Sequence, residues 1–115
     1  MADPEPLTPA QLEPVVVTLP GEIDMTNGHQ VRQRLYASLA TGAPVVIADM
    51  TATRFCDSMG LRALVLAHKR AAAIGAELRL AVTSEEILRI MDITKVDTVL
   101  CIYPSAREAL ADGMG

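Results

Sequence analysis

The stretch Asp49-Met-Thr-Ala-Thr-Arg-Phe-Cys-Asp-Ser-Met-Gly-Leu61 sets an acid beside a hydroxyl, Asp57 and Ser58, where an apolar strand gives way to a helix. A serine at such a junction stands next to unpaired backbone N–H groups, at the positive end of the helix dipole. Those donors accommodate an anion, so a phosphate on Ser58 would be well tolerated. Asp57 adjoins the hydroxyl, and Gly60 is expected to keep the approach uncrowded. A second acidic loop, Gly21-Glu22-Ile23-Asp24, follows an earlier strand. Loops that follow the strands of a parallel sheet gather at one edge, which would bring Asp24 and Ser58 onto a common surface. The chemistry implied is phosphorylation of Ser58. The plainer alternative is a helix cap, contributing about 1 kcal/mol.

A nucleophilic role is a weaker fit. The stretch Cys56-Asp57-Ser58-Met59-Gly60 lacks the first glycine of a hydrolase G-x-S-x-G turn. A serine nucleophile also needs a base, and the chain has two histidines, His29 and His68. His68 lies on the same helix, roughly 15 Å along its axis from Ser58, beyond reach. His29, near the start of an earlier helix, is the one remaining base. No Cys, His and Asp cluster has metal-ligand spacing. Phosphate-binding glycine loops of the nucleotide type are absent, so no metal or cofactor is expected.

The helix after Ser58 has an unusual face. Met59, Arg62, Leu66 and Lys69 recur at helical spacing and share one side. Leu61, Leu64, Val65 and Ala72 form the predicted core face. Met59 and Leu66 are therefore candidates for exposed apolar contact rimmed by cations, unless a neighbouring helix covers them.

The surrounding elements alternate. Val15–Leu19 is a β-branched run closed by Pro20-Gly21. Thr26 is a candidate cap for a helix running to Thr41, with Gly42 as its stop and Val31, Leu35 and Leu39 as its apolar stripe. Val45–Asp49 is a strand, and a helix from Ser58 to Ile74 stops at Gly75. Glu77–Val82 is a strand, Ser84 caps a third helix, Val99–Tyr103 is a last strand, and Ser105 caps a short helix over Ala106–Ala111. Strands separated by helices imply parallel pairing through right-handed crossovers. The prediction is one α/β domain over residues 15–115. Residues 1–14 hold four of the seven prolines (Pro4, Pro6, Pro9, Pro14) and read as an acidic, loose tail.

Composition narrows the partners. The formal net charge is −4, a basic stripe is missing, and Tyr36, Phe55 and Tyr103 are the only aromatic residues. That argues against nucleic acid, whether gripped by its phosphates or stacked on rings. The longest unbroken apolar run is far too short to span a bilayer, and the N-terminus does not resemble a secretory signal, so a cytoplasmic location is expected. Cys56 and Cys101 sit in separate apolar strand-like contexts and are expected to be free, buried thiols.

Gly21-Glu-Ile-Asp24, then Asp49-Met-Thr, Phe55-Cys-Asp-Ser-Met-Gly-Leu61, Arg89-Ile-Met-Asp-Ile-Thr94 and Ile102-Tyr-Pro-Ser-Ala-Arg-Glu-Ala-Leu110 resemble a STAS domain. Within that family the chain is most similar to the bacterial anti-sigma factor antagonists, from about Val15 to Leu110. The resemblance implies a mostly parallel sheet of four or five strands flanked by about four helices. It implies a regulatory module that is not an enzyme. The unmodified antagonist would bind an anti-sigma factor, a serine kinase of the histidine-kinase-like ATPase type, and so release a sigma factor. The kinase would phosphorylate Ser58 and a PP2C-type phosphatase would reverse it. By the same match, Asp57 and the Asp24 loop would line the partner contact; with the exposed helix face, the expected partner surface is Asp24, Asp57, Ser58, Met59, Gly60, Leu61, Arg62 and Leu66. One departure stands out: many members carry Ser or Thr where this chain has Met59. A second reading keeps the STAS fold without phosphorylation, as a scaffold or a subunit of a transport or stress complex.

Overall fold

The computed structural model of the protein describes residues 13–112. The first twelve residues of the predicted tail, and the last three of the predicted domain, lie outside the described residues. The elements run β1 (Val15–Thr18), β2 (Glu22–Ile23), α1 (Gly28–Leu39), β3 (Val45–Met50), β4 (Phe55–Cys56), α2 (Ser58–Ala73), β5 (Glu77–Val82), α3 (Glu85–Ile93), a 3-10 turn (Val96–Thr98), β6 (Cys101–Tyr103) and α4 (Ala106–Ala111).

The main sheet has four parallel strands in the order β1-β3-β5-β6. Parallel strands require crossovers, and α1, α2 and α3 supply them. The central strands β3 and β5 are buried almost throughout, which is why they read as near-continuous apolar runs. Their alternate residues serve two cores. Val46, Ala48, Met50, Leu78, Leu80 and Val82 face the main core, with Leu35, Leu39, Leu64 and Ala67 from α1 and α2 and with Ile87 and Met91 from α3. Val45 and Ile47 face the other way and meet Ala109 of α4. Gly42 and Gly75, both at positive φ, end α1 and α2 as glycine stops, where a side chain would be strained.

Four local expectations need correction. Asn27, not Thr26, precedes α1, and it makes no side-chain cap; the Thr26 hydroxyl is bonded to Asp24 instead. Ala72 is exposed and Val65 only half-buried. The core face of α2 is Gly60, Leu61, Ala63, Leu64, Ala67 and Ala71. The last strand begins at Cys101, because residues 96–98 wind into a 3-10 turn behind Lys95, which takes a left-handed φ of 65°. Finally, a second, two-stranded parallel sheet joins β2 to β4, pairing Glu22 with Phe55 and Ile23 with Cys56. Two-residue strands leave too short a pattern to read from sequence. This small sheet nevertheless builds the candidate site.

Candidate functional site

The β2–β4 pairing sets Ile23 beside Cys56, so the residues that follow, Asp24 and Asp57, emerge from neighbouring strands. Asp57 is the N-cap of α2 and its carboxylate accepts the Gly60 N–H at 3.0 Å. Its other oxygen accepts the Met25 N–H at 3.2 Å. One side chain thus closes the helix and ties the Asp24 loop to it. The Asp57 N–H donates to the Ile23 carbonyl at 3.0 Å, completing the clasp.

Ser58 is therefore the first residue inside α2, not its cap. It is exposed, and among the described residues its hydroxyl is in no hydrogen bond. The plain capping reading of Ser58 thereby loses its basis, since Asp57 does that work.

Asp24 is held within its own loop. Its carboxylate accepts from the Thr26 N–H at 2.9 Å and from the Thr26 hydroxyl. The hydroxyl bond first, then the backbone bond, hold its pKa below the ordinary aspartate value. Its own N–H donates to Asn27 Oδ1, and its carbonyl accepts from Gly28. The structure brings the Asp24 loop to the Ser58 turn, with Asp57 as the link.

Gly60 sits elsewhere than expected, and Leu61 joins the core face that its helical spacing predicted, not the partner surface that the resemblance implied. Both are buried, with Leu61 only 6% exposed. A Cβ on Gly60 would lie 2.6 Å from Cys56 Sγ and 2.9 Å from Ile23 Cγ2. The glycine thus lets α2 press onto the small sheet; it does not clear a path to Ser58. These two residues position the site from beneath.

Met59, Arg62 and Leu66 line its surface. Met59 is 49% exposed, Arg62 is exposed and Leu66 is half-buried. A groove of about 400 Å³ runs along α2 from Ser58 past Arg62, Val65 and Leu66, walled opposite by Thr94 and Val96. A smaller notch on the other side of Arg62 lies between α1 and α2, against His29, Arg32 and Met59. Met25, 77% exposed, and Phe55, 50% exposed, add apolar surface on the segments beside Asp57. Sequence reading passed over both; the one signal was a large apolar residue inside a polar turn. Thr94 and Val96 gave no local signal, because the tertiary fold alone sets them opposite α2.

Charge is partitioned more sharply than the linear sequence shows. Helices α1 and α2 carry Arg32, Arg34, Arg62, Lys69 and Arg70 and no acid at all. Arg70 and Arg32 both stack over the Tyr36 ring, at 4.2 and 5.9 Å from its centroid. A chain without a basic stripe in sequence thus folds to a cationic helical layer, because pairing α1 with α2 brings separated cations together.

The hydrolase constellation is not assembled. His29 Nδ1 lies 3.0 Å from the Arg32 guanidinium, and His29 opens onto the notch, which Ser58 does not line. Cys56 is buried, and burial first, then the Asp57 charge, push its thiol up to about 12, so it is not a poised nucleophile. Cys101 is likewise free, but only half-buried. Among the described residues, no group of three or more His, Cys, Asp or Glu residues could hold a metal ion, and no helix is long and apolar enough to cross a membrane.

A parallel sheet whose loops present a capped Asp-Ser helix start beside an acidic turn is the α/β architecture of the family the sequence resembles. The chain belongs to the STAS domain family, whose pattern matches residues 5–109. An anti-sigma factor antagonist homologue from Thermotoga neapolitana is 26% identical over 106 residues, covering 90% of this chain and 94% of that one. The crystal structure of an anti-sigma factor antagonist from Mycobacterium paratuberculosis is 26% identical, with TM-score 0.74 over 83% of this chain and 80% of that one. The phosphorylated form of the Bacillus cell fate determinant SpoIIAA shares the fold at 20% identity, with TM-score 0.63 over 91% of this chain and 92% of that one. So does a sulfate transporter family protein from Wolinella succinogenes, at 19% identity and TM-score 0.72 over 85% of this chain and 82% of that one.

Proposed function

We propose that this protein is an anti-sigma factor antagonist switched by phosphorylation of Ser58. The unmodified form binds an anti-sigma factor, a serine kinase of the histidine-kinase-like ATPase type, and so frees a sigma factor. That kinase transfers a phosphoryl group to Ser58, and a PP2C-type phosphatase removes it. The protein acts in the cytoplasm and catalyses nothing itself. The observation that carries this reading is the exposed Ser58 hydroxyl at the start of α2, without a hydrogen-bond partner among the described residues, on the rim of an apolar groove. The likeness to named antagonists supports the same class of partner.

The switch needs no refolding. A phosphate adds roughly −1.5 to −2 charges near neutral pH. The first turn of α2 tolerates it. At an interface the same charge must be desolvated, and opposite acidic groups the penalty is several kcal/mol. About 3 kcal/mol weakens affinity roughly 100-fold.

The test is binding of purified anti-sigma factor by the parent, Ser58→Asp and Ser58→Ala. The alanine form should bind like the parent and gain no phosphate mass with kinase and ATP. The aspartate form should bind more weakly. Equal affinity of the aspartate form and the parent would overturn the electrostatic switch. An unmodified parent after kinase treatment would point to a constitutive scaffold.

A further inference from the structure

Arg62 stands one helical turn beyond Ser58 on α2, and both side chains line the same groove. Residues four apart on a helix are neighbours, and an acid placed N-terminal to the cation is the better order. Arg62 is exposed, and among the described residues it pairs with no carboxylate; the ion pairs there are Arg79–Glu77 and Lys95–Asp92. No acid on α1 or α2 competes for it. The adjacent Asp57 carboxylate is already occupied by the Gly60 and Met25 N–H groups. Lys69, the other cation of the groove, lies roughly 16 Å along the axis from Ser58, too far to substitute.

We propose that Arg62 is the internal counter-ion of phosphorylated Ser58, closing onto the phosphate as an intrahelical ion pair. This rests on the reading of Ser58 as the phosphoacceptor. The guanidinium fork matches two phosphate oxygens, a geometry that lysine does not reproduce. In the unmodified protein Arg62 borders both the groove and the α1–α2 notch. Pairing draws it from the notch towards Ser58 at the groove. Phosphorylation then adds an anion to the docking surface and engages its nearest cation in one step, and the phosphate is held in place on its own helix.

The experiment uses the full chain with phosphoserine installed at position 58 by genetic encoding, so no kinase is required. Phosphorus NMR follows the second ionisation of the phosphate with pH. In Arg62→Gln the midpoint should rise by about 0.2–0.4 unit relative to the parent, with Arg62→Lys between them. The difference should shrink at high salt, as for an exposed pair. Equal midpoints in all three would overturn the pairing. As a second measurement on the parent alone, the Arg62 side-chain N–H resonance should shift on phosphorylation, and an unmoved resonance would likewise overturn it. Failure of the switch itself would look different: the phosphorylated parent would bind the anti-sigma factor unimpaired, whatever the midpoints.

Discussion

The backbone N–H of Met25 donates to the Asp57 carboxylate at 3.2 Å, although 32 residues separate them in sequence. That bond joins two loops whose acids were expected to share a surface. It also fixes from outside the helix the carboxylate that caps α2. Ser58 inherits its position from that arrangement.

Replacing Asp57 by alanine removes the cap and the clasp together. The expected cost is about 1–2 kcal/mol, at the upper end for a cap because a second acceptor is lost. Urea unfolding reads the cost, and hydrogen exchange should show the Met25 and Gly60 amides opening sooner. An unchanged midpoint with unchanged exchange at both amides would contradict the clasp.

Gly60→Ala sets helix propensity against packing. In an open helix the change gains up to about 1 kcal/mol. Here the new methyl would lie 2.6 Å from Cys56 Sγ and 3.0 Å from the Ile23 carbonyl, and backbone cannot give way cheaply. Overpacking of this kind costs about 1–3 kcal/mol, so a net loss of stability is expected. Thermal unfolding decides it; a stabilised Gly60→Ala would mean that α2 is not pressed onto the small sheet.

Much of this architecture was legible in the chain because long periodic patterns carry it. The runs Val45–Ala48 and Glu77–Val82, the glycine stops at Gly42 and Gly75, and the caps Ser84 and Ser105 are local signals with local causes. The helix start at Ser58 was legible for the same reason, but that Asp57 and not Ser58 caps it was not. The two-residue strands β2 and β4 were not, since pairing between distant segments defines them. The burial of Gly60 was hidden because a D-S-x-G-L run looks like surface until something lies beneath it, whereas the spacing of Leu61 with Leu64 already put Leu61 on the core face. The cationic layer was missed because charge was read along the chain, whereas α1 and α2 sum it across the fold.

Arg79 is 5% exposed and holds α4 against the back of the sheet. Its guanidinium donates to the Ala109 and Asp112 carbonyls, each at 2.7 Å, and to Glu77 at 2.8 Å. Arg79→Met keeps most of the stem but strands both carbonyls, an expected loss of about 2–3 kcal/mol. Glu77→Gln should cost under about 1 kcal/mol, because that partner is largely in water. Hydrogen exchange should show α4 loosening while α2 stays protected. Equal effects of the two substitutions would mean that the ion pair, not the carbonyl clamp, secures the helix.

The contact between Tyr103 and Asp112 gives the same helix an alkaline limit. The Tyr103 hydroxyl donates to Asp112, and that bond first, then desolvation, pushes the phenol up to about 12. The neutral phenol is the form that donates, so the folded chain holds this proton more tightly than the unfolded chain, where tyrosine titrates near about 10. By linkage the contact's contribution is complete below about pH 10 and drains away as the pH climbs towards 12. Because the chain has only two tyrosines, Tyr36→Phe leaves Tyr103 as the sole reporter. In that background, tyrosinate absorbance should rise late, and adding Asp112→Asn should bring the midpoint down, since an amide does not oppose the phenolate charge. A midpoint indifferent to Asp112→Asn would place the cause of the shift elsewhere than this bond.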